Sequence, residues 1–192
     1  VEVWLNNAEF EVPSQQIITS GCGGGVTFSD LRDRAEKVES ARTMTPDRIS
    51  RLLFELQSDQ EIRGMHMAAL SDGDRIVARA SDVGRHKAVD KLCGYCLAHD
   101  INTGDQVLLS TGRISSEMLG KAARMGIPIV ASRTSPTSLA VQLAVAWNIT
   151  LVGYVRRDSM NVYAGAARIL SAHSSLAPIA KNEEVRANAN LR

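Results

Sequence analysis

The chain has 192 residues, of which 44% are hydrophobic but only 4% aromatic, so its core must be built from aliphatic side chains, which suits layered α/β packing. Its 22 basic and 21 acidic residues leave a net charge of +1, which excludes a global field that would attract nucleic acid or a membrane surface. Three cysteines, no signal peptide and no membrane-length apolar run predict a reducing compartment and no membrane span.

The first 44 residues give few signals of regular structure. Residues 1–12 predict a short strand pair, and its abrupt opening leads us to expect further residues upstream of Val1. Four glycines occur between Thr19 and Gly25, and each costs backbone entropy to order, so we predict a mobile loop around Cys22. We therefore predict a remnant of an N-terminal β region over 1–18, followed by a glycine-rich cysteine loop and linker over 19–44.

A single α/β domain is predicted over 45–180, with a polar tail over 181–192. Helical periodicity and capping residues predict helices over 45–56, 85–97, 115–125, 135–147 and 166–170. Short apolar runs predict strands over 65–70, 75–80, 106–110, 127–131 and 149–155, the first two forming a hairpin. Buried strands that alternate with helices predict a three-layer α/β/α sandwich around a mixed, largely parallel sheet.

An arginine follows four successive predicted strands, and glycine or hydroxyl residues accompany it at the first three junctions. In an open parallel sheet these strand ends share the edge where ligands bind. Helix N-termini and guanidinium groups both favour phosphate, so the pattern predicts a site for a ligand with several phosphates. The candidate residues are Asp82, Gly84, Arg85, His86, Gly112, Arg113, Ser115, Arg133, Thr134, Ser135, Arg156 and Arg157.

Two residues next to these arginines have alternative interpretations. His86 lies at a predicted helix start, where a capping role and a ligand contact are equally compatible with the sequence. Glu117 lies in the first turn of another helix, where we expect it to complement the helix dipole rather than to act in catalysis. No nucleophile–base pair is visible, so acyl or phosphoryl transfer is not suggested.

The cysteines fall into two groups. Cys22 lies among glycines, whose backbone N–H groups can stabilise a thiolate, so either a sulfur-handling residue or an incidental thiol fits. Cys93 and Cys96 have C-x-x-C spacing but lie on the apolar face of a predicted helix, with no partner motif for zinc. We therefore interpret them as structural, with a redox or zinc site as the alternative.

Ordered sequence blocks from about residue 19 to 163 resemble the formate dehydrogenase accessory protein family, FdhD. The blocks are Ser20-Gly21-Cys22-Gly23, Asp82-Val83-Gly84-Arg85-His86, Ala88-Val89-Asp90-Lys91-Leu92, Gly112-Arg113-Ile114-Ser115-Ser116-Glu117-Met118, Lys121-Ala122, Gly126-Ile127-Pro128, Ser135-Pro136-Thr137-Ser138-Leu139-Ala140 and Asn161-Val162-Tyr163.

The resemblance implies a fold similar to cytidine deaminases, without their zinc signature, and a homodimer in the cytoplasm. It implies a sulfurtransferase that takes persulfide sulfur from a cysteine desulfurase. The sulfur would pass to molybdenum bis(molybdopterin guanine dinucleotide), a bound substrate that guanine nucleotides are expected to mimic, before insertion into formate dehydrogenase. The persulfide residue maps onto Cys22, and the family's cofactor-binding stretch maps onto Tyr154, Val155, Arg156, Arg157, Asp158 and Ser159.

One departure from the family and three rival functions remain at this stage. Many members carry a second loop cysteine where this chain has Gly25, which puts in doubt a mechanism that needs a resolving cysteine. The first rival is a non-catalytic carrier of the molybdenum cofactor. The others are a redox or zinc protein built on Cys93 and Cys96, and a plain nucleotide-binding regulator.

Overall fold

The computed structural model describes the side chains and backbone of residues 37–58 and 64–170, and the backbone of residues 16–19 and 25–28. The predicted strand pair over 1–12, Cys22 and the predicted polar tail lie outside these ranges. The proposed domain boundaries at residues 18, 44 and 180 stay predictions.

A two-stranded hairpin flanks the glycine-rich segment. Strand β1 (Gln16–Thr19) pairs antiparallel with β2 (Gly25–Phe28), and its last pair joins Thr19 to Gly25. The prediction that the loop included these two residues was wrong, because both take part in the ladder. Five residues, with Cys22 at their centre, connect the two strands.

Six strands form the main sheet, in the order β4-β3-β5-β6-β7-β8. They are β3 (His66–Ser71), β4 (Ile76–Asp82), β5 (Val107–Ser110), β6 (Ile129–Ser132), β7 (Thr150–Gly153) and β8 (Asn161–Ala164). Strands β5, β6 and β7 pair parallel, whereas β3 pairs antiparallel with both β4 and β5, and β8 pairs antiparallel with β7. Four of the six strands, β4 to β7, therefore run in one direction, which confirms the mixed, largely parallel sheet.

Helices cover both faces of this sheet, which confirms the α/β/α sandwich. One face packs against α2 (Arg85–Ala98), α3 (Ser116–Arg124) and α4 (Ser138–Ala146) around an aliphatic core that also buries Trp147. The other face packs against α1 (Pro46–Ser58) through Ile49, Leu52, Leu53 and Leu56, the four residues that the periodicity predicts to face inward. None of the described helices is long and apolar enough to cross a membrane.

The largest helix error concerns α4, which begins three residues after the predicted Ser135. Pro136 pairs with Ile114 in an isolated parallel bridge, so the chain is still extended there. Thr137 then caps the helix by accepting the N–H of Ala140 at 3.3 Å. The sequence analysis also missed β8. In place of the helix predicted over 166–170, the structure has only a 3₁₀ turn, Ala166–Arg168.

Two glycine substitutions should change stability in opposite directions. Gly165 has φ 65°, and an added Cβ would lie 2.5 Å from Thr150 Oγ1 and 2.8 Å from its Cα. We expect Gly165→Ala to lower the free energy of unfolding by roughly 2–4 kcal/mol, through backbone strain and overpacking. Gly94 in α2 has nothing within 4 Å of an added Cβ, so Gly94→Ala should raise stability by about 0.5–1 kcal/mol.

Urea denaturation followed by circular dichroism measures the free energy of unfolding of both variants. Equal effects of the two alanines would contradict this account of the contact between Gly165 and Thr150.

Candidate functional site

Four chain junctions meet at one edge of the sheet because β4, β5, β6 and β7 end there. The antiparallel strands β3 and β8 begin at the same edge, where His66 pairs with Asp82 and Asn161 pairs with Gly153. We call this surface the strand-end edge; it carries the sixteen residues predicted to bind a cofactor. That they bind a ligand stays a prediction.

Hydrogen bonds tie neighbouring junctions together beyond the ends of their strands. The N–H of Arg133 donates to the carbonyl of Ser110 at 3.2 Å, and that of Val155 donates to the carbonyl of Ser132 at 3.1 Å. Ser132 Oγ donates to the carbonyl of Gly112 at 2.7 Å. The junctions after β5, β6 and β7 therefore form one connected surface.

The junction after β4 leads directly into α2. Asp82 accepts the N–H of Gly84 at 2.9 Å and forms an ion pair with Lys91 at 2.6 Å. The bond from Lys91 is the main cause that lowers the pKa of the Asp82 carboxyl, followed by the bond from Gly84. Asp82 is thus an ionised residue that shapes the start of α2, where Gly84 is the N-cap.

Arg85 lies against the next junction. A Cβ added at Gly112 would lie 2.7 Å from Arg85 Cβ and 3.2 Å from His66 Nδ1, so glycine allows the two junctions to approach. Arg85 Nε is buried without a hydrogen-bond partner among the described residues. Burial and, secondly, the charge of Arg85 lower the pKa of His66.

His86 bridges the junctions after β4 and β5. Its Nε2 lies 2.9 Å from Ser115 Oγ, and its Nδ1 lies 3.3 Å from Glu117 Oε2. The side chains of His86 and Glu117 are only 16% and 14% exposed. Ser115 also caps α3 by accepting the N–H of Met118 at 3.4 Å. No pair of a nucleophile and a base was visible in the sequence, but the fold places the His86 ring next to the Ser115 hydroxyl.

Two arginines approach each other after β6 and β7. Arg156 Nη1 donates to the carbonyl of Arg133 at 2.7 Å, and Arg133 donates to the side-chain oxygen of Gln57 in α1. Burial and, secondly, the charge of Arg156 lower the pKa of Arg133. Arg113, after β5, is exposed.

The 154–159 stretch connects β7 to β8. Tyr154 has φ 50°, and its N–H donates to the carbonyl of Thr134 at 3.2 Å. The side chain of Val155 is buried in the α1-side core, so at this position only the backbone can face a ligand. Arg157 and Asp158 line a cavity of about 400 Å³ together with residues of α1, namely Asp47, Ser50, Arg51 and Phe54.

The electrostatics of the strand-end edge favour an anion. Burial and, after it, the charge of a neighbouring arginine lower the pKa of His66, His86 and Arg133, so a neighbouring cation adds to the cost of each cationic form. An anion placed among these groups would relieve this repulsion, and guanidinium groups bind phosphate oxygens with two parallel bonds.

Several residues of the edge carried no signal in the sequence analysis. His66 begins an antiparallel strand, so it was not among the residues that follow strands; the hairpin register with β4 could have placed it opposite Asp82. Gln57 reaches Arg133 from α1, across 76 residues of chain, and no local pattern indicates such a contact.

The C-x-x-C pair lies away from this edge, on α2. Cys96 is 1% exposed and Cys93 is half-buried, both packed in the core on the α2 side. Burial is the main cause that raises the pKa of the Cys96 thiol, with a smaller contribution from Cys93. Within residues 37–58 and 64–170, no group of three or more His, Cys, Asp or Glu side chains could hold a metal ion.

Comparisons with known proteins agree with one another. The family model described as the FdhD/NarQ family matches residues 2–170. A protein from Staphylococcus aureus strain MRSA252, named sulfur carrier protein FdhD, is 41% identical over 167 residues, covering 84% of this chain and 63% of the relative. This chain therefore spans less than two thirds of that relative's length.

A solved structure gives the same result. It is the crystal structure of a Desulfotalea psychrophila protein described as a formate dehydrogenase accessory protein, 32% identical, with a TM-score of 0.67 over 74% of this chain and 62% of the other. A guanine deaminase from Nitrosomonas europaea is a more distant likeness, at 11% identity and a TM-score of 0.44, which is too low to support a conclusion.

Cys96 should react slowly with alkylating agents in the native protein, because its thiol is buried and its pKa is raised. In a Cys22→Ala variant at neutral pH, we expect iodoacetamide to modify Cys96 at least about tenfold faster after unfolding in urea than before. Peptide mass spectrometry measures both rates. If iodoacetamide labelled Cys93 and Cys96 as rapidly in the native protein as in urea, this would contradict their structural role and favour the redox interpretation.

Proposed function

Since the chain belongs to the FdhD/NarQ family, we propose that it is a sulfur carrier that supports formate dehydrogenase, acting in the cytoplasm as a homodimer. In this proposal a cysteine desulfurase loads sulfur onto Cys22, and the sulfur then passes to molybdenum bis(molybdopterin guanine dinucleotide). The loaded molybdenum cofactor is subsequently inserted into formate dehydrogenase.

The observation that carries this proposal is the convergence of four arginine-bearing junctions on one edge. The proposed substrate carries two pyrophosphate groups, and Arg85, Arg113, Arg133 and Arg156 supply cations at the ends of four strands that run in the same direction. The Nε of Arg85, which has no hydrogen-bond partner among the described residues, and the repulsion of Arg133 by Arg156 fit a phosphate ligand. The guanine-dinucleotide form is the substrate class that we infer, and the 154–159 stretch would border it.

The sulfur-loading step requires only a thiolate and a persulfide. The Cys22 thiolate attacks the outer sulfur of the donor persulfide, a new S–S bond forms on Cys22, and the donor cysteine leaves as a thiolate. Because Gly25 occupies the position of the second loop cysteine of many members, Cys22 acts in this scheme without a resolving partner in the loop.

Replacement of Cys22 tests the sulfur-carrier proposal. After incubation with a cysteine desulfurase and cysteine, intact-mass spectrometry should find one additional sulfur on the wild type and none on Cys22→Ala, because only Cys22 is proposed to accept it. The Cys93→Ala variant is the matched control and should gain the sulfur like the wild type.

Formate dehydrogenase activity gives a second measurement with the same variants. Loss of activity in cells that contain only Cys22→Ala supports sulfur transfer. Full activity with that variant would contradict it and favour a carrier that protects and delivers the molybdenum cofactor without handling sulfur.

Replacement of Arg113 tests the proposed anion site. Arg113→Gln should weaken the binding of GDP roughly tenfold or more, since a hydrogen bond to a charged group contributes about 1.5–3 kcal/mol. Arg124→Gln is the matched control, because Arg124 is an exposed arginine in the last turn of α3, at the end of that helix remote from the strand-end edge. Isothermal titration calorimetry measures the affinity of both variants for GDP, and equal losses of affinity would contradict a specific site.

A further inference from the structure

The contacts of His86 determine where protons lie in the Ser115–His86–Glu117 group. An ionised carboxylate can only accept hydrogen bonds, so an ionised Glu117 would favour the tautomer in which Nδ1 of His86 carries the ring proton. In the neutral ring Nε2 is then an acceptor, and the hydroxyl of Ser115 donates to it over 2.9 Å.

The single proton of the Ser115 hydroxyl is therefore committed to His86 while the ring is neutral. The oxygen of Ser115 already accepts the N–H of Met118 at 3.4 Å, as the N-cap of α3. If His86 gains a proton, Nε2 becomes a donor to Ser115, and the hydroxyl proton is released to point toward the strand-end edge.

We propose that His86 and Glu117 are positioning residues that control the direction of the Ser115 hydroxyl, so that the protein takes up a proton at His86 when a phosphate-bearing ligand binds. The inference rests on the proposed function, because it requires an anion at the strand-end edge. It adds Ser115 as a hydrogen-bond donor to that ligand and assigns Glu117, a residue outside the predicted site, the role of fixing the tautomer.

The surrounding charges leave His86 able to respond to an anion. Burial and then the charge of Arg85 lower its pKa from 6.5, and Lys121 lowers it further, whereas Glu117 and Asp90 raise it. Asp90 and Lys121 form an ion pair with each other at 2.6 Å, so their opposite effects partly cancel. A phosphate within about 4–6 Å would favour the imidazolium by about one pKa unit or more.

Histidine NMR tests the free protein directly. Two-bond ¹H–¹⁵N correlation spectra of the full chain report the tautomer and the protonation state, and His86→Gln identifies the His86 signals. We expect a neutral His86 with the proton on Nδ1 and a pKa below 6.5 in the free protein, and a higher pKa with saturating GDP. A proton on Nε2 of the neutral ring would overturn the proposal.

Calorimetry in two buffers of different ionisation enthalpy counts the protons. Near pH 6.5 we expect the wild type to take up a fraction of a proton per GDP bound, because the anion shifts His86 toward the imidazolium. His86→Gln should remove most of this uptake and Ser115→Ala should reduce it, whereas His66→Gln, which removes the other histidine of the edge, should retain most of it. Loss of uptake in His66→Gln and its persistence in His86→Gln would overturn the proposal.

A second helix cap distinguishes the proposed role of Ser115 in ligand binding from its role in stabilising α3. Thr137 caps α4 as Ser115 caps α3, but it is not in the His86 group, so Thr137→Ala should leave both GDP affinity and proton uptake unchanged. Equal effects of Thr137→Ala and Ser115→Ala would reduce Ser115 to a cap and overturn the proposal.

The outcomes also distinguish this inference from the proposed function. If GDP binds with measurable heat but the pKa of His86 does not change, the proposed proton uptake at His86 is wrong, whereas the proposed anion site is supported. If GDP neither binds nor shifts either histidine, both fail.

Discussion

The placement of β3 between β4 and β5 is the constraint on which the strand-end edge depends. Because β3 pairs antiparallel with both neighbours, β4 runs in the same direction as β5, β6 and β7 although it reaches the sheet through a hairpin. Without this reversal the junction that carries Arg85 and His86 would lie at the opposite edge from Arg113. The contact between His86 and Ser115 follows from the same arrangement, since it joins the junctions on either side of β3.

Positive charge is concentrated at the strand-end edge, and nearby carboxylates are paired with lysines. Asp82 is held by Lys91 and the N–H of Gly84, and Asp90 is held by Lys121, so these carboxylates are engaged locally. Arg156 in contrast repels Arg133, and within the described part of the chain the side chain that reaches Arg133 from α1 is the neutral Gln57. A chain whose formal net charge is only +1 can thus still present a local site for an anion.

Local pattern was sufficient for most of the fold but not for the relations between junctions. The buried strands and the inward face of α1 follow from short apolar runs and helical spacing, and the arginine after each strand follows from position alone. The predicted start of α4 was wrong because Pro136 forms a bridge to Ile114, which belongs to another junction. Strand β8 was missed because most of its residues are only partly buried. The pairing of His86 with Ser115 and Glu117 spans about thirty residues, and the sequence offered only separate interpretations of each.

The hydrogen bonds between junctions have an entropic consequence. The backbone N–H groups of Arg133 and Val155 donate to the preceding junctions, so the chain at these positions is already ordered in the absence of a ligand. Ordering a residue costs about 1–2 kcal/mol of conformational entropy, and a surface that is ordered beforehand does not incur this cost when it binds. Any loss of freedom on association at this edge therefore falls on the ligand and on the long arginine side chains, while the main chain beneath them acts as a fixed frame.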